Sequence, residues 1–118
     1  MSTAGLHRWD EIALEKVTEM VSRKVVAGER ESVAQVYLKR GALVPWHAHN
    51  SEQMTCVLQG ALRFLVDTEE FIVREGEVLH VPAGAGHQAE ALDDTFVLDV
   101  FSPARGQPAD TLGLSPEP

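Results

Sequence analysis

The chain holds one cysteine, Cys56, in 118 residues, so no disulfide can form within it. That fits a reducing compartment. Basic residues are also few: 10 against 18 acidic ones, a net charge of −8 with neutral histidine. Nucleic-acid binding rests on Lys and Arg contacts to phosphate, so this balance argues against it. An anionic membrane surface is disfavoured for the same reason. A small anionic ligand stays compatible, because a bound metal ion can override the overall field locally. No stretch approaches the run of about 18 apolar residues that a membrane-crossing helix needs. Met1 to Asp10 contains no apolar run of signal-peptide length. The expectation is a cytoplasmic protein.

Also missing is a long helical stripe. Only Trp9 to Val17 hints at a short helical turn. From Thr18 onward the chain alternates short runs rich in Val, Leu and Phe with Gly, Asn, Asp or charged clusters. This pattern predicts strands near 18–27, 32–39, 44–49, 53–59, 61–66, 69–74, 78–81, 87–91 and 95–101. Regular short strands with frequent turn signals indicate an all-β sandwich or barrel. Gln59-Gly60 and Glu75-Gly76 supply glycine where a reversal needs positive φ. The expected division is a leader over 1–17, a barrel over 18–103 and a Pro/Gly-rich tail over 104–118.

The chemistry-bearing residues cluster around three histidines. His47 and His49 stand at i and i+2, a spacing that puts two imidazoles on one face of a strand. Gln53 follows at an even offset. His87 comes much later, after Pro82-Ala83-Gly84-Ala85-Gly86, and a barrel can bring such distant strands together. His7 and His80 have no such company and read as ordinary surface or core residues. In Thr95 to Phe101 (TFVLDVF), Asp99 is the one charged residue. A buried carboxylate is costly unless paired. Asp99 either meets a donor at the strand end or faces a pocket with Phe101, with Arg105 folding back over the mouth. The latter set would orient a small anion and move a proton. Thr55 and Val57 are expected inside the barrel, and Cys56 and Glu52 outside it. Ser22-Arg23-Lys24 reads as a solvated edge. The 32–39 strand offers Ala34, Val36 and Leu38 on one face, Gln35 and Tyr37 on the other, without indicating which is inside. Trp46 either rims the pocket or packs.

The spacing resembles the cupin family in both of its motifs. The first is Gly41, five residues, His47, one, His49, three, Gln53, six, Gly60; the second is Gly76, five residues, Pro82, one, Gly84, two, His87. The resemblance runs over roughly residues 30–103 and implies a cupin barrel, the double-stranded β-helix or jelly roll. It also implies one divalent ion on His47, His49, Gln53 and His87, with Zn, Ni, Fe or Mn as candidates. Gln53 stands where most cupins carry glutamate, and Ala91 where many carry asparagine. A neutral amide in place of a carboxylate leaves the ion more positive, hence a stronger Lewis acid.

A narrower resemblance joins HxHxxxQ and the late His to Asp99-x-Phe101-Ser102-Pro103-x-Arg105. It is similar to the uronate-ring-opening cupins of the KdgF type, which act on 4,5-unsaturated uronic acids. The resemblance implies that Asp99, Phe101 and Arg105 handle substrate and proton transfer in a metal-dependent isomerase. Other readings are a metal-dependent dioxygenase and a non-catalytic barrel that binds a sugar or other small molecule. The expected partners are a small anionic or sugar-like substrate and, because the 95–101 strand is apolar on both faces, a second copy of the chain in a homodimer.

Overall fold

The computed structural model describes residues 4–104. After a 3-10 turn at Trp9–Glu11 come ten strands: β1 Glu15–Lys16, β2 Val21–Ala27, β3 Ser32–Leu38, β4 Leu43–His47, β5 Glu52–Gln59, β6 Ala61–Val66, β7 Glu69–Arg74, β8 Val78–Val81, β9 His87–Ala91 and β10 Thr95–Ser102. All pairings are antiparallel. They form a six-stranded sheet, β1-β2-β3-β10-β5-β8, and a four-stranded sheet, β4-β9-β6-β7. From β3 onward the chain changes sheet at every step except β6 to β7, so the two sheets close on one core as a jelly roll. No helix among the described residues is long and apolar enough to cross a membrane.

Period-two alternation decides what lies inside. On β3, Ala34, Val36 and Leu38 are buried and Tyr37 is exposed, so the first set is the barrel face. On β10, Val97, Asp99 and Phe101 are buried, while Phe96, Leu98 and Val100 are half-buried on the outer face. On β5, Gln53, Thr55 and Val57 turn inward, and Glu52 and Met54 outward. Val36, Val57, Val81 and Val97 are at most 2% exposed; each such side chain contributes about 1.5–3 kcal/mol by burial. At the β5–β6 reversal, Gly60 has φ +89°, and a Cβ there would collide with Asp94 O and Thr95 Oγ1. The glycine is therefore required both for conformation and for space.

Two expectations are corrected near the N-terminus. Arg23 is not on a solvated edge: it is fully buried. β2 is the second strand of its sheet, because β1 pairs outside it in the register Glu15↔Arg23. The guanidinium meets the Glu15 carboxylate at 3.3 Å, so the charge goes inside with a partner. In addition, Thr18 to Met20 form a bend and β2 begins only at Val21. The segment before it is nonetheless tied down: Lys24 Nζ donates to Trp9 O at 2.8 Å, and Val17 packs against the core.

Candidate metal centre

His47 ends β4 and His87 begins β9, directly opposite each other in the four-stranded sheet. Gln53 lies on β5 in the other sheet, paired with Phe101 on β10. His49 is on neither: β4 stops at His47, and His49 belongs to the link into β5. The i, i+2 argument thus reached the right pair through an element that ends too early for it. What turns His49 inward is the link itself. Its backbone is fastened by Gly84 N donating to His49 O at 2.8 Å and by Ser51 Oγ donating to Pro103 O at 2.6 Å.

The three imidazoles converge. One ligand atom from each of His47, His49 and His87 lies within 4.8 Å of the others, and their ring centroids are 4.2 to 5.4 Å apart. His49 and His87 are buried, and His47 is half-exposed. Each ring holds Nδ1 against a backbone carbonyl: His47 on Pro45 O at 2.8 Å, His49 on Ser51 O at 2.8 Å and His87 on Ala85 O at 2.9 Å. A carbonyl only accepts, so Nδ1 carries the proton in all three rings and Nε2 presents its lone pair. This is the arrangement by which outer hydrogen bonds aim histidines at a metal.

Gln53 completes the donor set. Its Oε1 lies 3.0 Å from His49 Nε2. Two lone-pair-bearing atoms at that separation need a positive charge shared between them. Ligands about 2.1 Å from one ion and at right angles are themselves about 3 Å apart. Three imidazole nitrogens and an amide oxygen therefore fit a divalent cation. Imidazole suits Zn, Ni and Fe among others.

Behind Gln53 runs a buried hydrogen-bond chain. Gln53 Nε2 donates to Thr55 Oγ1 at 2.9 Å, and Thr55 Oγ1 donates to Asp99 Oδ1 at 2.6 Å. Burial pushes the Asp99 carboxyl up to about 7, against the lowering effect of the Thr55 hydrogen bond. A cavity of about 30 Å³ adjoins the centre, with His47, Gln53, Thr55, His87 and Asp99 on its polar side; it has room for water-sized ligands. Phe101 is fully buried and sets its ring edge-on to His49, with centroids 5.6 Å apart. It stands behind a ligand and does not line that cavity. Arg105 lies outside the described residues.

The remaining candidates sit elsewhere. Trp46 is half exposed and rests on Gly86, where a Cβ would collide with its indole. Glu52 is on the outer face and pairs with His80, Nε2 to Oε2 at 2.6 Å, so His80 has a partner the sequence did not suggest. Cys56 is half-buried, and burial together with the Asp99 charge raises its thiol, which makes it a weak nucleophile. Thr55 is the residue whose role sequence reasoning missed. Its inward parity was legible, but its position opposite Asp99 depends on the β5–β10 register.

Comparisons with known proteins agree with this geometry. A family model described as the Cupin domain matches residues 34–101. The structure is similar to that of KdgF from Halomonas sp., with a TM-score of 0.82 and 28% identity, covering 88% of this chain and 97% of that one. It is equally similar in fold to an RmlC-like cupin from Shewanella frigidimarina, with a TM-score of 0.82 and 22% identity over 88% and 95% of the two chains. Among curated proteins, an uncharacterized protein of Methanocaldococcus jannaschii is 25% identical over 75 residues, 63% of this chain and 60% of that relative's length. The histidine-glutamine cluster at the mouth of a jelly roll and the family match through both motifs carry one conclusion: this chain belongs to the cupin family and resembles KdgF.

Proposed function

We propose that the protein is a metal-dependent enzyme that opens or isomerises a small sugar acid, with 4,5-unsaturated uronates as the substrate class. The observation that carries this reading is the buried carboxylate of Asp99, held two hydrogen bonds from the Gln53 ligand and bordering the same cavity as His47 and His87. A purely structural ion would not require a titratable group there. The likeness to KdgF, together with the resemblance of Asp99-x-Phe101-Ser102-Pro103-x-Arg105 to the KdgF-type pattern, supports the substrate class.

His47, His49, Gln53 and His87 would hold the ion. When bound, it supplies Lewis acidity toward a substrate oxygen. Asp99 handles the proton: a carboxyl held near 7 both accepts and donates at neutral pH, as general acid-base catalysis requires. Thr55 holds its Oδ1 and leaves Oδ2 for that exchange. The apolar walls of Val36, Leu38 and Phe64 keep bulk water from competing for the proton. The small cavity means that the sugar ring lies across the mouth and only its reacting end reaches inward. In this reading Arg105 grips the substrate carboxylate by charge-assisted hydrogen bonds.

The test is the loss of absorbance of a 4,5-unsaturated uronate, measured above its spontaneous rate. Fully metallated protein that gives no acceleration with any such uronate eliminates the ring-opening reading.

A further inference from the structure

The hydrogen-bond chain behind the metal centre has a direction. A hydroxyl has one proton to give. Thr55 gives it to Asp99 Oδ1 at 2.6 Å; the carboxyl exchanges its proton at Oδ2, so Oδ1 accepts in either state. The Thr55 oxygen is thereby left as an acceptor, and it takes an N–H from Gln53 at 2.9 Å. An amide carries its N–H groups on one side and its carbonyl on the other. With the N–H side committed to Thr55, Oε1 must face His49 Nε2, where it lies 3.0 Å away. Turned over, the amide would point N–H groups, which ligate nothing, at the place of the ion. Gln53, Thr55 and Asp99 are 6%, 1% and 5% exposed, so bulk water does not take over a missing partner.

We infer that Thr55 is a positioning residue: anchored on Asp99, it dictates that Gln53 presents its oxygen, and not its nitrogen, to the metal. The need arises from the amide. A glutamate at position 53 would offer an oxygen either way round, so a cupin with a carboxylate here has no polarity to fix. The inference rests on the reading of His47, His49, Gln53 and His87 as the metal site.

The experiment starts from the full chain loaded with Zn²⁺ and measures affinity by competition with a chelator. Four proteins form a cycle: wild type, Thr55→Val, Gln53→Glu and the double variant. Thr55→Val keeps the shape and removes the hydroxyl. It should weaken Zn²⁺ binding about 10–100-fold with Gln53 present, and Thr55→Ser should restore it. With Gln53→Glu in place, Thr55→Val should change affinity by less than about 3-fold, because the amide asymmetry is gone. The visible spectrum of the Co²⁺-loaded protein should change with Thr55→Val and return with Thr55→Ser. Where Thr55→Val does not fold, Thr55→Ala serves in the same cycle, since it adds no bulk. Equal affinity of wild type and Thr55→Val overturns the inference. So does an equal loss in the Gln53 and Gln53→Glu backgrounds, which would mean general damage to the barrel. Wild type that retains no Zn²⁺ overturns the metal reading itself, and this inference with it.

Discussion

Phe101 meets His49 edge to face, with ring planes at 75° and centroids 5.6 Å apart. The phenyl is fully buried, so it packs against the imidazole and limits its movement. Phe101→Ala should cost about 3–5 kcal/mol of stability through the cavity it leaves, and it should also weaken metal binding by loosening His49. Phe101→Leu refills most of the space and should recover the stability before the affinity. Thermal unfolding with and without bound metal checks both effects.

The histidines and Gln53 should differ in what their loss does. Replacing His47, His49 or His87 by Ala removes an imidazole ligand already aimed by its carbonyl contact, and metal content should fall sharply. Gln53→Ala should weaken binding less, because an amide oxygen is the poorest donor of the four. Elemental analysis of the purified variants reads this. Undiminished metal in a His47→Ala, His49→Ala double variant would remove the site assignment.

Asp99 gives the metal-free protein a pH-dependent stability. Its carboxyl ionises at about 7 in the fold against 3.8 ordinarily. Below about pH 4 it is protonated in both folded and unfolded chains, and its contribution is at its most favourable. As pH rises from 4 to 7 the unfolded chain releases the proton and the folded one keeps it, so stability is lost, by up to about 4 kcal/mol. Asp99→Asn abolishes this slope. Denaturant unfolding of the chelated proteins at pH 4, 5.5 and 7 should show the gap between wild type and Asp99→Asn shifting in favour of the variant. In catalysis the same substitution should lower kcat about 10²–10⁴-fold.

Gly86→Ala should move Trp46. A methyl at residue 86 occupies the space of the indole, so the ring must swing away at a cost of about 1–3 kcal/mol. Trp46 is already half exposed, so its fluorescence should shift further to the red. An unchanged emission spectrum would mean that the contact does not hold the indole.

The outer face of the six-stranded sheet leads to a proposal about assembly. Met54, Leu58 and Val78 are 41%, 50% and 58% exposed, beside half-buried Phe96, Leu98 and Val100. We propose that two copies bury this face in a homodimer. Light scattering at micromolar concentration should give twice the chain mass, and Leu58→Glu with Val78→Glu should halve it.

Much of the fold was legible because strand alternation and turn residues are local signals. The β5, β6, β7, β8 and β9 segments are within a residue of expectation. The convergence of His47, His49 and His87 was legible because family spacing encodes a long-range contact that local periodicity cannot. What escaped was register and pairing order. Arg23 looked like a surface cation because its cover, the two-residue β1, is too short to announce itself. Thr55 looked like wall lining because only the Asp99↔Thr55 pairing makes it a bridge. His80 and Glu52 are 28 residues apart, and no pattern in the sequence joins them.

The three carbonyl contacts at His47, His49 and His87 are made by the backbone, and none involves the ion. The fold therefore sets the direction of each ring, while the 3.0 Å approach of Gln53 Oε1 to His49 Nε2 is the part of the centre that an ion has to hold. Rings aimed by the backbone in this way offer the same three nitrogens to each ion. The supply of metal in the surroundings, as much as the protein, then selects the occupant, and exchanging one ion for another becomes a means of retuning the chemistry on an unaltered frame.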